Sequence, residues 1–422
     1  MAKPASYNPD SPNEKYVPLP SAPLVTLSEN AVLQPPLTRR GTGPGMIIFL
    51  PPASAFETST EGDKTLDPEP VQKWAEEGFA IVGVTPSASG WSVEESLTKG
   101  VDALLNLKEL NIKDKFAVTV FYPDILRTVL DAISRDLRIS CVVSFGAAAA
   151  VASTVPIAFH VPTSYEAPET NASTSVYKYK TPSPYFILPQ AEDYKPTFAS
   201  IAHTRNVVFL RKHIGGPHFD IEAIWDEHTY FEFEIRSVSQ TMGTMVQEPY
   251  VNHVTTVSCF HMLLHSLNYY VISQMTGGIG RQNLTAFYRD HFIFANPADT
   301  ELETVSRTVG PDRIVEEFIF KCTHDKTIDW LLPAVPPTGK RLEIPMLGVV
   351  NVRGDRLYHE HIWWDQGTAL LQAGLIPTDV PFPLEDGKQM LRLPVAGQEC
   401  ARLLVNERDG KSNEMFEWGI RE

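Results

Sequence analysis

Four short runs of almost unbroken apolar residues limit what this chain can fold into. They are GMIIFLPP (45–52), FAIVGVTP (79–86), FAVTVFYP (116–123) and CVVSFGAAAA (141–150). A strand with one face in water alternates polar and apolar residues, so runs without alternation belong to strands covered on both faces, as in a parallel sheet blanketed by its crossover helices. The segments between them read as helices. DPEPVQKWAEEG has Pro near its start and Gly at its end, and WSVEESLTKGVDALLNLKEL carries apolar residues at helical spacing. Strands alternating with helices predict an α/β layer fold.

At 422 residues the chain exceeds the size at which one core keeps growing, so a second domain is expected. Residues 1–29 read as a flexible polar arm. After a Pro/Ser/Thr-rich loop over 162–184 and a helix through FASIAHTRNVVFLRKHI, the pair Gly215-Gly216 marks the boundary, with an α/β domain over 30–214 and a second domain over 220–422. From Trp225 the pattern becomes α+β. Ser237 and Gln240 form a capping box ahead of a helix carrying Val238, Met242, Met245 and Val246. GRQNLTAFYRDHF reads as a second helix and TALLQAGLI as a third. SRTVGPDRIVEEFIFKCTHD and RLEIPMLGVVNVRGDRLYHEHIWWD read as long alternating strands, the latter folding back at Arg353-Gly354-Asp355. Helices followed by long antiparallel strands predict a curved sheet wrapped around helices, with a cavity inside.

Lys and Arg number 36 against 51 Asp and Glu, a net charge of -15 that repels phosphate backbones and anionic lipid surfaces. Neither nucleic acid nor a membrane is an expected partner. Cys141, Cys259, Cys322 and Cys400 are far apart and form no C-x-x-C, which points away from a disulfide framework or zinc site and toward a reducing, cytoplasmic setting. The polar, Pro-rich start has no apolar stretch of the kind a secretory signal needs. Pro249 to Gly280 lacks Asp, Glu, Lys and Arg, but its histidines, asparagines and serines make it a poor membrane span.

In the first half GPGMIIFLPP, DPEPVQKWAEEGFAIVGV and FLRKHI together resemble the dienelactone hydrolase branch of the α/β-hydrolase fold. The resemblance implies a Cys nucleophile at a G-x-C-x-G elbow, completed by Asp and His. Here FAVTVF runs instead into Tyr122-Pro123-Asp124, no G-x-S-x-G or G-x-C-x-G occurs, and PQAEDYKPTF stands where the family has its histidine. Cys141 and Ser144 lie in a buried-looking strand, and neither His160 nor His203 has a thiol partner in the sequence. A scaffold that has lost hydrolase chemistry is expected.

The second half resembles the SnoaL-like polyketide cyclase group, with its cone-shaped fold like nuclear transport factor 2. EHTYFEF, TMVQEPYVNHV, TGGIG, FYRDHF, SRTVG, DWLLPAVPPTGK, GDRLYHEHIWWDQ and LLQAGL carry the likeness. It implies a cyclase, isomerase or dehydratase, or a catalytically silent ligand binder. Alternation puts Leu357, His359, His361, Trp363 and Asp365 on one face of a strand, and Tyr358, Glu360, Ile362 and Trp364 on the other. Two imidazoles and a carboxylate on one face suit proton removal beside a carbonyl without a cofactor. The resemblance gives Asp365 the role of general acid/base, His361 and His359 beside it, and places His253 at the end of the first helix reaching into the cavity. Trp363, Asn252, Tyr250 and Trp330 are the expected substrate contacts. Asp365 also fits the N-cap of the helix after it, and the two histidines fit half-buried sheet positions. His359 and His361 have no third ligand at convincing spacing, so no metal is expected.

The expected function is that of a cofactor-independent acid/base enzyme acting on a hydrophobic carbonyl or polyketide-like small molecule. A dienelactone-type ester or lactone hydrolase and a noncatalytic binding or interaction protein are the alternatives, and a homodimer is admitted. The likeness breaks at Val257–Gln274, whose removal leaves V-N-H-V-T-T-M-T-G-G-I-G. Val codons begin GT and a Gln codon can end AG, so this insert has the ends of an unspliced in-frame intron. The rival expectation is a genuine amphipathic helix capping the cavity, packed over or beside its mouth.

Overall fold

The computed structural model describes residues 5–60, 65–87, 91–146, 153–166, 169–263, 269–382 and 389–421, with the backbone alone described over 257–263 and 269–274. Ala147 to Ala150, the end of the fourth apolar run, lie outside the described residues. The chain divides into two compact units. One comprises Leu19–Asp220 with Arg353–Arg356; the other comprises Met1–Pro18, Ile221–Val352 and Leu357–Glu422. No helix among the described residues is long and apolar enough to cross a membrane.

The N-terminal unit is built on eight strands: β1 (Val25–Ser28), β2 (Ala31–Gln34), β3 (Gly43–Phe49), β4 (Ala80–Val84), β5 (Leu110–Val120), β6 (Ile139–Phe145), β7 (Ile157–Pro162) and β8 (Thr174–Tyr179). They lie in the order β1-β2-β4-β3-β5-β6-β7-β8. From β4 to β8 every pairing is parallel, while β2 runs antiparallel to both β1 and β4. The sheet is therefore mixed, because the short first two strands form a hairpin that the apolar runs did not reveal. The core strands are covered on both faces, as their lack of alternation requires. Ile47, Val82 and Val118 pack with residues of α2 (Val93–Leu105) and α3 (Leu126–Ile133). Met46, Ile48 and Ile81 pack on the other side with α1 (Pro70–Glu76) and α4 (Pro196–Ile214).

Both histidines that the sequence left without partners are buried with them. His160 Nδ1 meets Tyr179 Oη at 2.7 Å and Nε2 meets Asn206 Oδ1 at 2.6 Å. His203 Nε2 lies 2.7 Å from Glu77 Oε1. Burial drives the His160 pKa down to about 3, so the ring is neutral in the native state.

The C-terminal unit carries helices α5 (Ile221–Thr229), α6 (Val238–Gly243), α7 (Gly280–Phe287) and α8 (Gln366–Gln372). Its main sheet comprises β9 (Met245–Leu263), β10 (Tyr269–Ile279), β11 (Glu301–Val309), β12 (Arg313–Thr323), β13 (Arg341–Arg353) and β14 (Arg356–Trp364), in the order β10-β9-β14-β13-β12-β11. β9 and β14 pair in parallel, and β9–β10, β11–β12 and β12–β13 are antiparallel.

Three expectations for this unit need correction. The helix read through Met245 and Val246 ends at Gly243, and His253 lies on β9. Pro249 has no N–H for a helix and biases the residue before it toward extended backbone. The start of the chain is not a loose arm over its whole described length, because the Glu14 carboxylate accepts from the Val238 and Ser239 amides, both at 2.9 Å, at the start of α6. Ser237 caps the same helix through Gln240 N. The insert is not helical: Val257–Leu263 and Tyr269–Gln274 prolong β9 and β10 as a paired ladder, with 264–268 outside the described residues. Thr276 pairs with His253, so excision of the insert would leave a hairpin closed by Val254, Thr255, Thr256 and Met275. Gly277 is needed beside it. Its φ is 134°, and a Cβ there would stand 2.0 Å from the Val251 carbonyl oxygen.

Two outcomes follow. Sequencing of the spliced transcript is expected to join the Thr256 codon directly to that of Met275; a message encoding Val257–Gln274 would refute the intron. Acid should destabilise the N-terminal unit through His160. The unfolded chain takes up a proton near pH 6.5 that the native ring refuses until about 3, so stability falls as pH drops through that window, by up to about 1.4 kcal/mol per pH unit. Urea unfolding at pH 7.5 and 5 is expected to show a smaller pH dependence in His160→Gln than in the parent protein.

Candidate active site

The C-terminal unit encloses a cavity of about 180 Å³. Alternation along the strands supplies one side of it: Glu316, Phe318 and Phe320 from β12, and Glu360 and Ile362 from β14. On β11 the register shifts between Thr304 and Ser306, which lets Thr304 and Arg307 line the same cavity although their numbers differ in parity. Trp225, Asp226 and Thr229 come from α5, and Trp330 from the loop after β12.

Two π-helical turns supply the remaining chemistry. The turn Tyr230–Ile235 continues α5 and presents Glu232 and Phe233, while the turn Tyr288–Phe292 continues α7 and presents Phe292 to the cavity and Tyr288 to the charged cluster behind it. Such turns aim side chains off the regular helical face and recur at functional sites.

His228, Glu232, Glu360 and Tyr288 meet there, all buried. His228 Nε2 stands 3.1 Å from Glu232 Oε1, 3.0 Å from Glu360 Oε1 and 3.3 Å from Tyr288 Oη. The Tyr288 hydroxyl donates to Glu360 Oε1 at 3.3 Å. On its other side His228 Nδ1 lies 2.6 Å from Thr244 Oγ1, whose own proton goes to the Thr241 carbonyl at 2.7 Å. Thr244 must therefore accept, and Nδ1 carries a proton. Burial alone would pull the imidazolium pKa down, but the Glu232 and Glu360 carboxylates outweigh it and raise it to about 10. Burial raises Glu232 against the lowering pull of His228, and Tyr288 sits well above the usual phenol range for the same reason.

Elsewhere on the wall Glu316 is held on three sides. Trp225 Nε1 donates to its Oε2, while Thr304 Oγ1 at 2.7 Å and Arg307 at 2.9 Å reach its Oε1. Arg307 also pairs with Asp226 at 2.8 Å and Glu222 at 3.1 Å, while its Nε is buried without a hydrogen-bond partner. His253 stands among Trp330, Phe292, Phe287 and Trp364, with ring centroids 5.1 to 6.0 Å away. Its Nδ1 is buried with no hydrogen-bond partner, and burial lowers its pKa to about 3.

Of the residues singled out from the sequence, His253 and Trp330 line the cavity. Trp330 is buried, its Nε1 donating to Asn296 Oδ1 at 3.0 Å. The others gather elsewhere. The parallel register sets Tyr250 beside His359 and Asn252 beside His361, whereas Val251 pairs with Glu360 and His253 with Ile362. Side chains alternate, so the cavity face of β14 carries Glu360 and Ile362, and the face chosen from the sequence is the opposite one. There His361 Nε2 meets Tyr250 Oη at 3.0 Å, His359 stacks on His361 at 4.6 Å, and Trp363 packs edge-on to His361. Asp365 is exposed; its Oδ2 accepts from Thr368 N at 2.8 Å and Thr368 Oγ1 at 2.7 Å, capping α8. Asp365 and His361 therefore do not share the cavity. The signal that was passed over is the His228-x-x-x-Glu232 spacing in EHTYFEF, which puts both groups on one helical face.

The metal expectation also needs restating. The ligand atoms of His228, Glu232 and Glu360 lie within 4.8 Å of one another, so a group able to hold a cation exists, away from His359 and His361.

No family model matches the chain, and no curated protein matches it. Over part of its length it is similar to several solved structures. A Jannaschia sp. CCS1 protein assigned as a SnoaL-like polyketide cyclase is 15% identical, the match covering 38% of this chain and 99% of that one at a TM-score of 0.28. A Catenulispora acidiphila protein with a ketosteroid isomerase-like fold is 10% identical over 36% of this chain and 93% of that one, TM-score 0.26. A Burkholderia pseudomallei protein with a fold like nuclear transport factor 2 is 12% identical over 37% and 98%, also at 0.26. None of these likenesses transfers a residue role.

Asp365→Ala removes a cap and nothing from the cavity. It is expected to lower unfolding stability by about 1 kcal/mol in urea titrations, within the roughly 0.5–2 kcal/mol range of N-cap losses.

Proposed function

We propose that the cavity of the C-terminal unit is the active site of a cyclase, isomerase or dehydratase acting on a small, hydrophobic, uncharged carbonyl compound. The observation that carries this reading is the buried His228–Glu232–Glu360–Tyr288 cluster at one end of an aromatic-lined cavity. Buried charges are costly and seldom kept unless they are paired or used, and a cavity meant only to hold an apolar ligand has no need of two carboxylates. That favours catalysis over the binding-protein alternative. The substrate's apolar body lies against Trp330, Phe292 and Phe318, with its carbonyl at the polar end. Enolisation moves a proton from the carbon beside the carbonyl to the Glu232 or Glu360 carboxylate on the cavity wall, while His228 and Tyr288 behind them set the charge and hydrogen bonding of those carboxylates. Arg307 already pairs with Glu316, Asp226 and Glu222, three carboxylates against one cation, so the wall offers an anionic substrate no net positive charge there.

For the N-terminal unit we favour an α/β-hydrolase-like scaffold without acyl-transfer chemistry. The eight-stranded sheet, parallel except at β2, supports the scaffold. Against hydrolysis, β5 ends at Val120 and runs into Tyr122-Pro123, Ser144 is wholly buried, and burial pushes the Cys141 thiol up to about 12, far from a reactive thiolate.

The test is exchange of α-protons in D2O, followed by NMR, across a panel of neutral cyclic and aromatic ketones. Glu360→Gln is expected to slow exchange on the order of 100-fold or more, the usual worth of a positioned proton-transfer group. Asp365→Asn is expected to stay within threefold or so of the parent. A Glu360→Gln variant exchanging at the parental rate would sink the assignment.

A further inference from the structure

The cluster contains more acceptors than its protons can serve. The Thr241–Thr244 relay fixes a proton on His228 Nδ1 and leaves Nε2 facing inward. A ligating histidine is held in this way, its second ring nitrogen donating to a neighbouring acceptor that sets the tautomer and the ring's orientation. Around Nε2 stand Glu232 Oε1 at 3.1 Å and Glu360 Oε1 at 3.0 Å. Atoms bound at about 2.0–2.1 Å to one ion stand about 2.9 Å apart at right angles and about 3.4 Å apart at the tetrahedral angle. Both separations from Nε2 fall in that interval, and the three ligand atoms lie within 4.8 Å of one another. A second, independent observation points the same way: Glu232 Oε1 is buried and accepts no hydrogen bond. All three side chains are more than nine-tenths buried, and both carboxylate residues line the cavity.

We propose that His228, Glu232 and Glu360 bind one divalent first-row cation, with its open positions turned toward the cavity. The ion takes the place of the proton on Nε2, which leaves to solvent, and the two carboxylates with the imidazole then neutral offset a charge of two. One nitrogen and two carboxylate donors suit manganese, iron(II), cobalt or zinc; calcium prefers six to eight oxygens, and no thiolate lies in the group to favour copper(I). The ion's role, though not its binding, rests on the function proposed above. It would act as a Lewis acid on the substrate's carbonyl oxygen, leaving the second oxygens of Glu232 and Glu360 for proton transfer.

The experiment uses the full chain, stripped with EDTA and then titrated calorimetrically with MnCl2 and with ZnCl2. One ion per chain is expected, and pulsed EPR of the manganese form should show coupling to the 14N of a single imidazole. His228→Gln and Glu360→Gln should each weaken binding at least about 100-fold, while Asp365→Asn leaves it unchanged. The EPR reading needs no variant and so survives a misfolded one. A folded parent protein that takes up no ion, manganese bound without 14N coupling, or binding that persists in both variants would overturn the site. Ketone exchange that continues undiminished in the stripped protein would remove the cation's role as Lewis acid while sparing both the site and the acid–base reading. An ion bound here, with no exchange on any ketone of the panel, would keep the site and remove that reading.

Discussion

Withdrawing two carboxylates from water into a protein interior is the costliest single act in the C-terminal unit, and much of the neighbouring structure makes it tolerable. A charge on or beside the His228 ring is the compensation, and it works only if the ring cannot turn. Thr244 fixes one edge of the ring, and Thr244 in turn is fixed by Thr241 at the end of α6. The two π turns displace Glu232 and Tyr288 from the regular course of their helices into contact with it. Orientation in this cluster is thus inherited from backbone geometry and does not depend on one strong bond.

The rest of the cavity wall follows a different logic. Glu316 and Arg307 are as polar as the cluster, yet their charges are paired with each other, and Trp225, Thr304 and Asp226 hold them in place. Trp330, Phe292, Phe318 and Phe320 line the same cavity, and apolar walls of this kind lower the local dielectric and strengthen electrostatic effects. His253 stands on that aromatic ground as a neutral ring with an unused nitrogen, able to orient a ligand without adding charge.

Much of the N-terminal sheet was legible because β3 to β6 are apolar on both faces, a pattern few other structures produce. The β1–β2 hairpin was not, since four residues such as Val25–Ser28 carry too little pattern to be told from loop. On β14 the alternation itself was read correctly, but alternation cannot say which face is inside. That choice is made by β9, more than a hundred residues earlier, whose register sets Tyr250 by His359 and His253 by Ile362. The two histidines favour one face in the sequence, but the cavity takes the other, with Glu360 and Ile362. The helix expected through Met245 failed for a local reason: its apolar residues had the right spacing, but Pro249 and the β-branched residues after it favour strand.

The contact of Glu14 with the amides of Val238 and Ser239 joins residues 224 positions apart. Chain entropy makes such a closure less severe than it sounds, because the cost grows only with the logarithm of the loop. Its consequence lies in the order of events during synthesis. Glu14 leaves the ribosome early and must wait for its helix to be made, so α6 first forms against whatever the nascent chain supplies. A fragment beginning at Ile221 would carry every side chain of the charged cluster yet lack the carboxylate at the head of α6, the helix whose far end steers His228. Its weakness would show first as a loosened imidazole.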